Sequence, residues 1–97
     1  MPEIKMDYDM MQETISEFLQ AANAMDDTKH DINQIAQLIE DGALVGATGD
    51  EFSDMLRGPM IRKLTELTEK FEEIARDLQM AVDSMQSNNS SARGEFK

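Results

Sequence analysis

The feature that most constrains the fold is the regular spacing of apolar residues in the second half of the chain. From residue 64 to residue 85 they recur at alternating steps of three and four. This heptad pattern is typical of a helix that packs along one seam. The members of the series are Leu64, Leu67, Phe71, Ile74, Leu78, Ala81 and Met85.

A second heptad series occupies the first half of the chain and predicts a helix over about residues 8–40. Its steps alternate four and three, and Lys29 is the one polar residue within it. Leu19, Ile35 and Leu38 lie beside this seam and widen the apolar face. The apolar members of the series are Met11, Ile15, Phe18, Ala22, Met25, Ile32, Ala36 and Ile39.

The segment between the two series predicts a turn over about residues 41–48. Asp41-Gly42 is expected to end the first helix, because glycine is common just past a helix C-terminus. Thr48 and Glu51 have the spacing of a capping box, in which a hydroxyl and a carboxylate satisfy free backbone N–H groups. We therefore expect the second helix over about residues 49–85.

The second helix carries one breaker, and the chain ends in a polar segment. Pro59 lacks a backbone N–H and crowds the preceding turn, which predicts a kink or a restart of the helix there. Residues 86–97 have no apolar period and are predicted to form a disordered tail. The sequence thus predicts an all-α fold, an antiparallel helix-turn-helix hairpin over residues 1–85.

Two helices cannot cover all of the apolar residues, which predicts a partner. Eight of them fall off the predicted seams: Met10, Leu19, Ile35, Leu38, Met55, Ile61, Met80 and Val82. Each exposed Leu or Ile forfeits roughly 1.5–3 kcal/mol of burial, and a second hairpin would complete a four-helix bundle. A monomer with scattered surface apolar residues is the alternative. The predicted packing and dimer-interface residues are Ile15, Phe18, Leu19, Met25, Ile32, Ile35, Leu38, Leu64, Leu67, Phe71, Ile74 and Leu78.

Composition excludes several classes of function. The formal net charge of −11 argues against binding to nucleic acid or to an anionic membrane surface. The chain has no Cys, so thiolate metal sites are excluded. It has no apolar run near the roughly 20 residues that a membrane helix needs. Its first residues do not have the pattern of a Sec signal peptide, and we expect no membrane insertion.

No pattern in the sequence indicates catalysis, and we expect neither an enzyme nor a cofactor. Asp27 and His30 form an Asp-Xaa-Xaa-His pair, a spacing similar to that of di-metal helical bundles. Both fall outside the predicted seams, so a solvent-facing position is favoured over metal ligation. A metal-dependent helical enzyme is kept as a third class of function, which metal analysis of the purified protein would test.

The turn supplies a family resemblance. Its sequence Leu44-Val45-Gly46 is followed six residues after the glycine by Phe52. Here the chain resembles the WXG family, the small early-secreted-antigen-like proteins of type VII secretion. Their turns carry Trp-Xaa-Gly with a large aromatic residue at that spacing. The opening Ile4-Lys5-Met6 is also similar to members of the Gram-positive branch. Leu44 stands in the Trp position.

The resemblance implies a small protein of the type VII pathway, cytoplasmic before export and then secreted without a Sec signal. It implies pairing with itself as a homodimer, or with a related hairpin or an effector's helical domain as a heterodimer. The secretion ATPase is a further partner that the resemblance implies, since the Trp of the family's turn is implicated in docking to it, and Leu44 stands in that position here. The family's C-terminal Tyr-Xaa-Xaa-Xaa-Asp/Glu export signal is missing, since the single Tyr is Tyr8. That absence favours the alternative function, an intracellular targeting chaperone or adaptor for a larger effector.

Overall fold

The computed structural model describes the backbone of residues 5–95 and the side chains of residues 5–88. Helix α1 spans Tyr8–Leu38, α2 spans Ala47–Met55 and α3 spans Ile61–Glu95. Wide π-type turns, Ile39–Ala43 and Leu56–Met60, follow α1 and α2. The chain forms an antiparallel hairpin of 75 × 20 × 19 Å, with no strand among the described residues. The predicted all-α hairpin is confirmed.

Asp7 fixes the start of α1. Its carboxylate oxygen accepts a hydrogen bond from the Met10 N–H at 3.0 Å, and its carbonyl accepts one from the Met11 N–H at 2.9 Å. These contacts satisfy donors that the first helical turn leaves free. The helix therefore begins at Tyr8, as the sequence predicts.

The long helices pack along one seam, and the α1 side of that seam has the spacing that the sequence shows. Ile15, Ala22 and Ala36 are buried there. Lys29 occupies the polar position of the series, where its ammonium contacts Asp26 at 2.9 Å and the Thr65 hydroxyl at 3.3 Å. The charged head is thus paired at the edge of the interface while its apolar stem lies along the seam.

On the α3 side of the seam, three of the predicted positions are each replaced by the residue that follows them. The buried residues are Thr68, Ala75 and Val82, whereas Leu67 is 45% exposed. The observed series has the same alternating spacing as the predicted one and shares four of its members. Its residues are Leu64, Thr68, Phe71, Ala75, Leu78, Val82 and Met85. Val82, which the sequence placed off the seam, is 1% exposed.

Side-chain size explains this register. The contact between Phe18 and Phe71 places Ala22 of α1 level with Thr68 of α3, and Ile15 packs in one cluster with Ala75. A small side chain on one or both helices lets their backbones approach closely. The Thr68 hydroxyl donates to the Leu64 carbonyl at 2.8 Å, so burying it leaves no unsatisfied polar group. The larger Leu67 is left on the flank of the hairpin.

The core is densest toward the open end of the hairpin. Ile15, Ala75 and Val82 form its buried centre, with Met11 and Leu78 packed against them. One helical turn away, the Phe18 and Phe71 rings meet edge to face at 5.4 Å and 88°. Such a contact contributes about 0.5–1.5 kcal/mol beyond its buried area. These contacts fix the relative level of the two long helices.

Pro59 lies inside the wide turn Leu56–Met60, and the chain remains helical on both sides of it. A wider turn relieves the clash between the proline ring and the preceding carbonyl, so the backbone stays helical into α3, which begins at Ile61. At the other end, α3 continues to Glu95, whereas the sequence predicted a disordered tail from residue 86. Residues 86–95 contain no proline, so every residue there has a backbone N–H for helical hydrogen bonds. Phe96 and Lys97 lie outside the described residues, as do residues 1–4.

The register of α3 predicts a contrast between two neighbouring substitutions. Val82→Ala removes two methyl groups from the core and should lower the free energy of unfolding by about 2 kcal/mol. Met80→Ala changes an exposed side chain and should stay within about 0.5 kcal/mol of the parent protein. Urea unfolding followed by circular dichroism measures both. Equal losses would contradict the observed seam.

Candidate functional site: the hairpin tip and the docking face

Two glycines shape the backbone at the tip. Gly42 has φ 124° and Gly46 has φ 107°, and between them Leu44 is extended at φ −144° and ψ 107°. Positive φ is costly for any residue with a Cβ, so both turns depend on glycine. Gly42 terminates the first helix, as the sequence predicted, and Gly46 turns the chain into α2.

The second helix begins at Ala47, and the predicted capping box is wrong. The N-cap residue is Gly46, which has no side chain to donate or accept; its carbonyl accepts the Asp50 N–H at 3.1 Å. Because Gly46 sets the entry angle, Thr48 is already inside the helix. Its hydroxyl cannot occupy the N-cap position that a capping box requires.

Gly49 holds the loop against α2. A Cβ at this position would overlap the Leu44 carbonyl oxygen, and the Leu44 side chain lies 3.5 Å from the same point. The Leu44 backbone therefore rests directly on the first turn of α2. This close approach positions the Leu-Val-Gly segment relative to the helix.

Apolar side chains are left at the surface of the tip. Val45 is 82% exposed, and Leu44, Phe52 and Met55 are also exposed. Phe52 and Met55 line a shallow depression together with Glu51. We name Leu44, Val45, Phe52 and Met55 the tip patch. It contains three of the four residues predicted for the turn motif. Gly46, the fourth, supplies the turn.

A polar clamp ties the tip to the end of α1. The Arg57 guanidinium donates to both Glu40 carboxylate oxygens, from Nη2 at 2.6 Å and from Nε at 2.9 Å. The Ser53 hydroxyl donates to Glu40 at 2.7 Å, and Arg57 also reaches the Gln37 amide oxygen at 3.1 Å. The hydrogen bond from Arg57, and then that from Ser53, lowers the pKa of Glu40 to about 2. Bidentate pairing of this kind fixes orientation as well as charge.

The second surface is one flank of the hairpin. This flank is formed by residues that come one position before a seam residue. On α1 they include Ala21, Thr28 and Ile35, and on α3 they include Leu67 and Ile74. In an antiparallel pair, residues with the same offset from the seam fall on the same side. We name this flank the docking face. Its apolar and small residues are Met10, Ala21, Ala24, Thr28, Ile35 and Leu38 on α1, and Met60, Leu67, Ile74 and Ala81 on α3 and the turn before it. Its charged residues are Glu17, Asp31, Lys63, Lys70 and Asp77.

The opposite flank is polar. A groove there is lined by Leu19 of α1 and by Glu72, Arg76 and Gln79 of α3. Its other α1 residues include Asn23, whose neighbours along this flank are also polar or charged. Leu19 is the single large apolar residue of this polar flank among the described residues of the two long helices. The hairpin therefore has one flank with most of its exposed large apolar residues, interspersed with charges, and one flank that is polar apart from Leu19.

The predicted packing residues divide between the seam and the flanks. Ile15 is buried, and seven others are half-buried. Leu19, Ile35, Leu38 and Leu67 are exposed. The half-buried residues are Phe18, Met25, Ile32, Leu64, Phe71, Ile74 and Leu78.

The structure adds one group of residues that sequence reasoning missed, the clamp of Gln37, Glu40, Ser53 and Arg57. Its members come from two segments that only the folded turn brings together, so no spacing in the sequence indicates it. Asp27 and His30 are both exposed on α1. Among the described residues, no group of three or more acidic, His or Cys side chains is arranged to hold a metal ion.

The hairpin with its glycine-shaped tip agrees with the comparison to known families. The model described as "Proteins of 100 residues with WXG", the WXG100 family, matches residues 3–90, and the chain belongs to that family. No curated protein and no solved structure shows significant similarity to it. The chain is thus a small helical protein associated with type VII secretion, from a family of non-enzymatic secretion substrates without signal peptides. Across residues 5–95, no helix combines the length and apolar character that a membrane crossing needs.

The contact between Gly49 and Leu44 predicts a loss of stability on substitution. Gly49→Ala should destabilise the protein by about 1–3 kcal/mol, because the added Cβ displaces backbone and not a flexible side chain. Thr48→Ala is the neighbouring control, since Thr48 is exposed in the same turn of α2, and it should stay within about 0.5 kcal/mol of the parent protein. Thermal unfolding of both variants tests the contact; a neutral Gly49→Ala would refute it.

The clamp predicts an acid-dependent loss of stability. The folded-state pKa of Glu40 is about 2, below its ordinary 4.5. The clamp therefore stabilises the fold fully above pH 4.5, and this contribution is lost as the pH falls toward 2. Glu40→Gln should be less stable than the parent protein at neutral pH, and the difference should shrink across that window.

Urea midpoints measured at several pH values test the clamp. Glu51→Gln, which removes an exposed carboxylate of α2 outside the clamp, is the control and should show a smaller, less pH-dependent difference. A Glu40→Gln difference that does not change with pH would contradict the assignment of the lowered pKa.

Proposed function

We propose that this protein works in type VII secretion by helical association, as a secreted substrate or a co-secreted partner. The observation that carries the proposal is the docking face. It exposes Ile35, Leu38, Met60 and Leu67 along one flank, while the opposite flank is mainly polar. WXG100 proteins typically form dimers of helical hairpins, and a second hairpin on this face would complete a four-helix bundle.

Size and packing support association through this flank. The docking face is lined along the middle of α1 by three small residues, Ala21, Ala24 and Thr28. On α3 it is lined by the larger Leu67 and Ile74. Large side chains beside small ones form the ridges and grooves through which helices pack. Ile35, Leu38 and Leu67 are exposed, and covering the rest of their apolar surface would stabilise association by roughly 25 cal/mol for each Å² buried.

The tip patch is the second surface in this proposal. In the resemblance described above, the Trp of the turn is the residue that docks on the secretion ATPase. Leu44 occupies that position here, next to Val45 and Phe52, and the clamp and Gly49 hold the segment in place. We assign the tip patch to contact with the secretion machine, with Leu44 giving a smaller apolar contact than Trp would.

An intracellular targeting chaperone or adaptor is the second candidate function. One observation favours it: the single Tyr of the chain is Tyr8, so a Tyr-based export signal after the second helix is lacking. In that function the docking face would grip an amphipathic helix of a larger effector. The chain would then promote export of the effector without leaving the cell alone.

Matched substitutions on the two flanks test the role of the docking face. Leu67 and Leu19 are each 45% exposed, on the docking face and on the polar flank respectively. Leu67→Glu should weaken association by at least tenfold, because it places a charge in the contact. Leu19→Glu should leave association unchanged. Sedimentation equilibrium against a WXG100 partner or the chain itself measures both; equal effects would contradict the assignment of the face.

Fractionation of cultures tests the function itself, with and without the secretion ATPase. The parent protein and Leu19→Glu should appear outside the cells only when the ATPase is present, and Leu67→Glu should be retained. Retention of all three, together with effector export that requires the chain, would replace the first candidate by the adaptor. Export that is independent of the ATPase would overturn both.

A further inference from the structure

The apolar core of the hairpin does not extend into the tip. Among the described residues, every buried apolar side chain belongs to α1 or α3: they are Ile15, Ala22, Ala36, Ala75 and Val82. Between residues 39 and 60 the buried residues are Gly49 and Ser53, and neither contributes an apolar side chain. The large apolar residues Ile39 and Leu56 are only half-buried there. The tip therefore gains little from the burial of apolar surface, which is the dominant favourable contribution to folding.

The clamp is what joins the tip to the end of α1. Three of its hydrogen bonds end on Glu40, one from Ser53 and two from Arg57. Ser53 lies in α2 and Arg57 in the turn that follows it, so both bind the same carboxylate across the turn. The Glu40 and Arg57 side chains are each 38% exposed, so water can replace their contacts when the clamp opens. Opening such a pair leaves no buried charge unpaired, and its cost is therefore modest.

The backbone provides a hinge on each side of this segment. On one side Gly42 has a φ of 124°, and its lack of a Cβ gives it many other accessible conformations. On the other side Gly58 precedes Pro59, which has no N–H to donate to the backbone of the preceding turn. The segment between these hinges, residues 43–57, is named here the tip unit.

We propose that the tip unit opens while α1 and α3 remain packed, and that the pair of Glu40 and Arg57 is the latch that keeps it closed. All four residues of the tip patch lie within this unit. Opening carries the whole patch away from the end of α1, and closing fixes its orientation. Glu40 and Arg57 are therefore positioning residues for the patch. The latch is a property of this chain alone, whichever partner the patch contacts.

Local opening of the tip unit has a signature in amide hydrogen exchange. Amides that exchange through a local opening respond to the free energy of that opening, whereas amides of the core respond to global unfolding. A substitution in the core thus leaves exchange in the tip unit unchanged if this unit opens by itself. The same substitution accelerates both sets of amides if the tip unit opens only when the whole chain unfolds.

Hydrogen exchange measured by NMR at neutral pH, on the parent chain and two variants, tests the latch. Val82→Ala should accelerate exchange of core amides in residues 68–82 by roughly tenfold or more, and should leave the tip unit unchanged. Glu40→Gln should accelerate exchange of the protected amides of α2 by roughly tenfold, because it removes the charge that the clamp binds. Ile15→Val, a milder change to the same core, replaces Val82→Ala if that variant does not fold.

The matched control is Glu51→Gln, which removes an exposed carboxylate of α2 outside the clamp. It should change exchange in α2 far less than Glu40→Gln does. Equal acceleration of the tip unit and the core by the core variant would overturn independent opening, since it would show one cooperative unit. An effect of Glu40→Gln on α2 no larger than that of Glu51→Gln would overturn the role of the latch.

Discussion

The close contact between α1 and α3 over small side chains is the constraint on which the rest of this structure depends. Ala22 level with Thr68, and Ala75 against Ile15, let the two backbones approach. That contact sets the rotation of α3 about its axis. As a result Leu67 is turned out of the seam to the flank, where Ile35 and Leu38 are also exposed. The apolar docking face follows from small residues occupying the seam.

The tip is held by different interactions, and they lie away from the docking face. The clamp joins Glu40 of the turn after α1 to Arg57 of the turn after α2. Gly49 fixes Leu44 by backbone contact. Neither requires a residue of the docking face. The chain can thus fix the geometry of its turn while one whole flank remains open for a partner, which suits a protein that acts by association.

Much of the fold could be predicted from the sequence, because the spacing on α1 leaves one choice of seam. On α3 the apolar pattern allowed two registers that share Leu64, Phe71, Leu78 and Met85. Choosing the larger residues selected the wrong one, since close packing favours Thr68 and Ala75. The predicted capping box was wrong because Gly46 already turns the chain into α2. The clamp could not be predicted, because Glu40 and Arg57 meet only in the folded turn.

Chemical accessibility at two adjacent positions tests the register of α3 most directly. The chain contains no native Cys, so Leu67→Cys and Thr68→Cys each introduce a single thiol. Their alkylation rates are compared in dilute, folded protein without a partner. The account predicts rapid alkylation at position 67 and strong protection at position 68. Protection at 67 with rapid reaction at 68 would show that α3 packs in the other register, and that no apolar docking face exists.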